Sequence, residues 1–274
     1  MRATPALVTL VLAGCGPGRT TFARHPAAAP AFDRAGSDAR AVAIADRVVA
    51  AAGGHDRWTQ AKQLRWSESV TTGQAGAPPV TFEEGWDRWN GRHYNRMHAE
   101  VGDIVVMRNL YEVGGAVFGD TGHTKQPVAA ADSERAIASA RERWELDTGV
   151  LFLPFLLEEP GTKLALVGDA PGEAGAPPLD DLKVTFDPKD PTRTAVYHAM
   201  VNRTTNQIER IEIVKPGDPD TKRLGYKASS WVDAGGIKLA TVYHNIGFAA
   251  EVVTYSNVAA ATEPDDTLFV PTAQ

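Results

Sequence analysis

Cys15 is the residue whose type and position indicate a definite chemistry, because it is the single cysteine of the chain and follows a short apolar stretch. Arg2 gives a positive start, and residues 6–13 are apolar but too few to span a bilayer, which is typical of a signal peptide. One thiol cannot form an internal disulfide. The alternative, an incidental cysteine behind an ordinary secretory signal, leaves this thiol without a role.

The motif Leu12-Ala13-Gly14-Cys15 resembles the lipobox of bacterial lipoproteins. The resemblance implies diacylglyceryl transfer to the Cys15 sulfur, cleavage between Gly14 and Cys15, and acylation of the new amino terminus with a fatty acid such as palmitate. Residues 1–14 are then the signal peptide. Several acyl chains make a stable anchor, whereas one gives only marginal binding. Residue 16 is Gly rather than Asp, which implies the outer membrane if the envelope is Gram-negative.

The histidines are the first candidates for a metal site, because two imidazoles and a carboxylate can bind zinc. His93 and His98 are five residues apart, so they would point to opposite faces of one strand. His198 and His244 could meet only through tertiary contact. We therefore expect partly exposed strand histidines and no metal ligands.

Paired carboxylates are the second candidates, because acid–base catalysis can use two of them across a substrate. Neighbouring residues do not share a strand face, so we expect solvated edges or turns at these four pairs: Glu83-Glu84, Glu158-Glu159, Asp180-Asp181 and Asp265-Asp266. No nucleophile elbow, phosphate loop or HExxH motif is present. The sequence indicates no catalytic residue and no cofactor, and a hydrolase that uses His198 or His244 with carboxylates is the least favoured function.

The net charge of −6 argues against nucleic acid as a partner, because an acidic surface repels phosphate backbones. Hydrophobic residues make up 43% of the chain, which is enough for a globular core. Residues 15–36 are rich in Ala, Pro, Gly and Arg without apolar periodicity, and we interpret them as a lipidated flexible tether. Residues 37–274 are expected to form a single domain.

Within that domain, alternating patterns predict many short antiparallel strands, beginning with Leu64, Trp66 and Val70. Ser37 is expected to cap a first amphipathic helix, and a second helical region is expected to start at Asp132 or Ser133 and to lead into the apolar residues 150–157. The fold class is mainly β (α+β). We predict a strongly curved antiparallel sheet or unclosed β-barrel, with two helical segments covering its inner face.

Three blocks of sequence resemble lipoproteins of the LolA/LolB-like type: Ala51-Ala52-Gly53-Gly54 with Trp58, Leu64 and Trp66; residues 152–161; and Leu268-Phe269-Val270-Pro271. The resemblance covers about residues 37–271 in the order of elements. It implies an unclosed β-barrel capped by helices, with a hydrophobic cavity between sheet and helices that can hold acyl chains.

Seven residues are the candidates for lining such a cavity, although ordinary core packing is the favoured interpretation for most of the aromatic ones: Trp66, Phe82, Glu84, Trp86, Trp144, Phe152 and Phe155. Glu68 and Glu84 interrupt apolar strand faces, which indicates either a bulge or solvated strand end, the favoured interpretation, or a polar anchor in the cavity. The predicted function is a non-enzymatic envelope lipoprotein that binds a lipid or other apolar ligand. The alternative is a structural lipoprotein with a filled core that docks another envelope protein.

Overall fold

The computed structural model describes residues 32–74, 76–173, 175–190 and 192–269. The predictions for Gly14, Cys15, Gly16 and the signal peptide lie outside these residues. So does most of the predicted tether.

The described residues contain thirteen strands in one antiparallel sheet. Their bounds are β1 Gln63–Thr72, β2 Val80–Asp87, β3 Arg92–Met97, β4 Asp103–Asn109, β5 Ala116–Asp120, β6 Lys125–Pro127, β7 Thr162–Ala170, β8 Leu179–Phe186, β9 Val196–Val201, β10 Ile208–Val214, β11 Leu224–Ala234, β12 Ile237–Asn245 and β13 Glu251–Ala261. Strands that follow one another along the chain are paired, except that β6 and β7 are not neighbours; in addition, β1 pairs with β13.

The sheet is an unclosed barrel, because β6 and β7 form its two edges and do not pair with each other within the described residues. Register shifts occur in β1, between Arg65 and Ser67, in β7 and in β10, and such irregularities increase local bending. The predicted fold class is therefore confirmed.

The helices are α1 Ala39–Ala51, α2 His55–Gln60, α3 Ala130–Leu151, α4 Leu153–Leu156 and a 3₁₀ turn, Asp266–Phe269. The predicted cap of α1 was wrong by one residue. Asp38 Oδ1 accepts hydrogen bonds from the backbone N–H groups of Arg40 and Ala41 at 2.7 and 3.1 Å. Ser37 Oγ instead accepts from Leu164 N at 3.1 Å, which ties the start of α1 to edge strand β7.

The apolar run 150–157 lies at the centre of the core. Helix α3 ends before Phe152, whose φ of −106° interrupts the helical path, and Pro154 then stands in the first turn of α4, where a missing N–H costs nothing. Residues from α1, α2, α3, α4 and nine strands form one hydrophobic cluster. None of the helices in the described part of the chain combines the length and apolarity needed to cross a membrane.

Candidate ligand groove and buried polar groups

The seven residues predicted to line a cavity are all buried, with exposed fractions between 0 and 8%. Four of their aromatic rings are in contact with one another. The Phe152 centroid lies 5.4 Å from that of Trp66 and 6.3 Å from that of Trp86, and Trp86 meets Trp144 edge-on at 5.3 Å. Phe155 stacks on Trp58 at 4.6 Å. Side chains of the protein itself thus fill the space between the sheet and the helices here.

A groove of about 350 Å³ lies elsewhere, beside β10 and β11. Its volume is within the range of small-molecule sites. The β7–β8 connection forms one wall: Arg210 Nη1 donates to the Pro171 carbonyl oxygen at 3.3 Å, and Lys227 is paired with Glu173. None of the seven predicted residues lines this groove.

The groove combines an apolar wall with two cationic side chains. The apolar residues are Leu179, Ala228, Trp231 and Ile246, and the cations are Arg210 and Lys227. Two acids also line the groove: Glu173, which pairs with Lys227, and Glu209, which accepts a hydrogen bond from Asn202 Nδ2 at 2.7 Å. Arg210 Nε is buried and makes no hydrogen bond, although Glu212 Oε1 lies 3.3 Å away. An anionic group entering the groove could accept that N–H, because guanidinium groups bind carboxylates and phosphates well.

A second, smaller cavity of about 10 Å³ lies between α1, α4 and the sheet. It is large enough for about one water molecule. Val48 and Pro154 line it together with Trp231, which thus borders both cavities.

Glu84 is fully buried, so its interpretation as a bulge or solvated strand end was wrong. Glu84 Oε2 lies 2.6 Å from His93 Nε2, and Asn95 Nδ2 donates to Glu84 Oε1. Arg108 Nε donates to His93 Nδ1 at 3.1 Å, which assigns the imidazole proton to Nε2. Burial raises the pKa of Glu84 to about 8 and lowers that of His93 well below its usual range. Both Glu84 oxygens accept hydrogen bonds, which stabilise the carboxylate form and so oppose the effect of burial on its pKa.

Glu68 is also buried, and the same interpretation was wrong for it. Arg143 Nη1, from α3, lies 2.8 Å from Glu68 Oε1 and 4.0 Å from Asp147 Oδ1. The Tyr255 hydroxyl donates to Asp147 Oδ1 at 3.2 Å. Burial is the first cause of a raised pKa at both acids, to about 8 for Asp147, and the neighbouring carboxylates add to it. Two acids beside one arginine favour a state in which the pair holds one proton.

The expectation of partly exposed histidines was wrong for His93 and His198, which are both fully buried. His198 lies between two carboxylates, with Nδ1 2.9 Å from Asp181 Oδ1 and Nε2 3.0 Å from Asp220 Oδ1. Asp220 also accepts from Lys183 at 2.9 Å, and this bond is the first cause of its pKa of about 2.

His198 with its two carboxylates is the kind of cluster that the hydrolase alternative required, but the imidazole is fully buried between its partners. Both ring nitrogens of His198 have partners, and the imidazole does not line the groove. Across the described ranges, no group of three or more His, Cys, Asp or Glu residues is arranged to hold a metal ion. The cluster therefore holds the β10–β11 connection, which carries Asp220, against β8 and β9.

No family model matches the sequence, and no curated protein matches it. Among solved structures, a DUF1329 family protein from Desulfovibrio piger is 14% identical, with a TM-score of 0.50, and the match covers 85% of this chain and 98% of that chain. The two chains share a fold. A LolA superfamily protein from Nitrosomonas europaea is 12% identical, with a TM-score of 0.49 and coverage of 84% and 97%. A putative outer membrane lipoprotein-sorting protein domain from Vibrio parahaemolyticus is 8% identical, with a TM-score of 0.46 and coverage of 84% and 96%.

At these identities the similarity concerns the fold alone. The unclosed antiparallel sheet with few helices, which the LolA/LolB resemblance implied, is the architecture of the described residues. Sequence reasoning missed Trp231, Arg210 and Lys227 as groove residues. The available signal was weak, because Trp231 follows two serines in a segment that has no pattern typical of a ligand site.

Proposed function

We propose that the protein is a non-enzymatic lipoprotein of the cell envelope, anchored through Cys15, which binds a lipid or another amphiphile with an anionic end. The groove beside β10 and β11 carries this proposal, because it joins an apolar wall to Arg210 and Lys227. The proposed ligand site is this groove rather than the space between the sheet and the helices, because aromatic side chains pack against one another in that space.

The anchor is proposed from the lipobox and from the uniqueness of the thiol. The apolar chain of a ligand would lie along Leu179, Ala228 and Trp231. Its anionic end would meet Arg210, whose Nε–H lacks an acceptor. Lys227 is paired with Glu173, and a ligand carboxylate or phosphate would compete for that ammonium group.

Cys15→Ser is expected to abolish acyl labelling and to release the protein from membranes, because serine lacks the thiol that accepts the diacylglyceryl group. Metabolic labelling with a fatty acid and fractionation of membranes measure the two effects. Retained labelling of the serine variant would refute the anchor.

Trp231→Ala is expected to weaken binding of a fluorescent fatty acid at least about tenfold, or ~1.4 kcal/mol, because it removes the largest apolar side chain of the groove. Titration of 11-(dansylamino)undecanoic acid into the protein measures this change. Arg210→Gln should remove the preference for this acid over its methyl ester, which has no charge.

Phe155→Leu is the matched control, since it alters the core between sheet and helices and leaves the groove walls unchanged. Normal binding by this variant supports the groove. If Phe155→Leu weakens binding and Trp231→Ala does not, the ligand lies in the interior and the groove proposal fails.

A further inference from the structure

Four exposed apolar residues lie at one end of the sheet, and we call them the apolar rim. They are Val80, Val101, Ile246 and Phe248, with exposed fractions of 39, 92, 53 and 52%. Strand pairing places them at the same end, because Val80 starts β2, Val101 lies between β3 and β4, and the other two lie in the connection before β13.

The register of the paired strands shows that these residues lie at the same end of the sheet. Thr72 pairs with Glu251 and Val70 with Val80, while Phe82 pairs with Met97. The connections β12–β13, β1–β2 and β3–β4 therefore project from the same end of adjacent strands. Gly73 packs directly against Ala250, so two of these connections are in contact.

The chain enters the domain at the same end. Leu164 lies two residues from the start of β7, and following the pairing from β7 to β13 brings Thr162 to the end that carries Glu251. Asp38 N donates to the Leu164 carbonyl oxygen at 2.9 Å. Helix α1 then runs to the opposite end, where Lys238 N donates to the carbonyl oxygen of Ala52 at 2.8 Å.

The length of chain before the domain fits a short distance to the membrane. Residues 16–31 separate Cys15 from Phe32. Such a segment spans at most about 60 Å when extended, and about 20–25 Å as a flexible coil. An anchor at Cys15 therefore holds the end where α1 begins, and with it the apolar rim, close to the bilayer.

We propose that the apolar rim is a membrane-contact surface, which inserts Ile246 and Phe248 into the interface of the bilayer that holds the acyl anchor. This inference rests on the proposed lipidation of Cys15 and does not require a ligand in the groove, whose wall shares Ile246 with the apolar rim. Residues 246–250 carry no charged side chain, so their insertion desolvates no ion. Buried apolar area at the interface adds to the affinity of the acyl chains.

The charges beside the apolar rim specify the kind of lipid. Glu100 is exposed and Glu83 is half exposed, with His98 Nε2 3.6 Å from its Oε1. The nearby cations are paired: Arg96 with Asp103 at 2.6 Å, and Lys222 with Asp218 at 2.9 Å. Acidic flanks repel anionic headgroups, so the surface fits zwitterionic lipids.

The test uses the whole lipidated chain in phosphatidylcholine vesicles with Phe248→Cys. Lipidation converts the Cys15 sulfur to a thioether, so the introduced cysteine is the one free thiol and takes a single environment-sensitive fluorophore. We expect blue-shifted emission and strong quenching by lipids that carry a spin label near the headgroup. Exchanging half of the phosphatidylcholine for phosphatidylglycerol should reduce the quenching.

Val113→Cys is the matched control, because Val113 is fully exposed in the β4–β5 connection at the opposite end of the sheet. It should show neither effect. Equal quenching at both positions, or no quenching at position 248 in lipidated protein, overturns the membrane contact. A blue shift at position 248 without quenching by the lipids would instead assign the rim to contact with another protein molecule. Labelling of the unsubstituted chain would show a free Cys15 thiol, which is the separate failure of the anchor.

Discussion

Phe152→Ala is expected to lower the free energy of unfolding by about 3–5 kcal/mol, the usual cost of removing a fully buried phenyl ring. Phe152 has no exposed surface and lies between α3 and α4. Its ring centroid is 5.4 Å from Trp66, 5.7 Å from Trp58 and 6.3 Å from Trp86. Three rigid indole rings cannot collapse easily into the vacated space, so most of the cavity should remain.

Urea unfolding followed by tryptophan fluorescence measures this loss. Phe248→Ala is the control, because Phe248 is half exposed, and it should change the stability by no more than about 0.5 kcal/mol. Phe152→Leu should fall between the two. A cost below about 1 kcal/mol for Phe152→Ala would contradict a filled interior at this position and would restore the predicted cavity between sheet and helices.

The strands could be predicted from the sequence because their pattern is local. In β1, Leu64 and Trp66 are buried and Arg65 is partly exposed, as the period of two requires. The same pattern could not show which strands lie beside each other when they are distant in sequence. The pairing of β1 with β13 joins the first six strands to the last seven in one sheet, and nothing local to either strand indicates it.

Glu68 and Glu84 show why the buried polar contacts could not be predicted from the sequence. A carboxylate on an apolar strand face suggests a bulge or solvent when it is considered alone. Glu68 is buried because Arg143 reaches it from α3, 75 residues away, and Glu84 because His93 and Asn95 lie on the neighbouring strand. An ion is buried only where it has a partner, and the tertiary structure decides which residue that partner is.

The groove was missed for the same reason. Its walls come from the β7–β8 connection, β8, β10, β11 and the β12–β13 connection, and no single segment has a ligand-binding pattern. The aromatic residues near 152 are more conspicuous in the sequence, but they pack together because large rings fill a core efficiently. Conspicuous apolar residues therefore predicted the core well and the groove poorly.

Arg143→Met is expected to lower the free energy of unfolding by about 3–5 kcal/mol, because it removes the cation from two buried acids. Arg143 Nη1 is 2.8 Å from Glu68 and 4.0 Å from Asp147, and Glu68 and Asp147 are both fully buried. Methionine keeps much of the volume of the arginine stem, so lost packing contributes little. The phenyl ring of Phe82, which lies 4.6 Å from the guanidinium, remains covered by the methionine side chain.

The pH dependence separates this electrostatic effect from packing. Burial raises the pKa of Asp147 from its ordinary 3.8 to about 8 in the folded protein, so the folded state binds more protons than the unfolded state between these values. The stabilisation is complete below pH 3.8 and is lost as the pH rises towards 8. Arg143 lowers the Asp147 pKa, so Arg143→Met should extend the loss to higher pH.

Glu68→Gln should have the opposite effect, because it removes one of the two like charges and its amide oxygen can still accept from Arg143. Its stability should fall less steeply than that of the unsubstituted protein between pH 5 and 8, and at pH 8 it should be at least as stable. Urea midpoints at three pH values for both variants test the pair. If Glu68→Gln and Arg143→Met destabilise equally at every pH, the two acids do not share a proton, and Arg143 acts on the fold through packing alone.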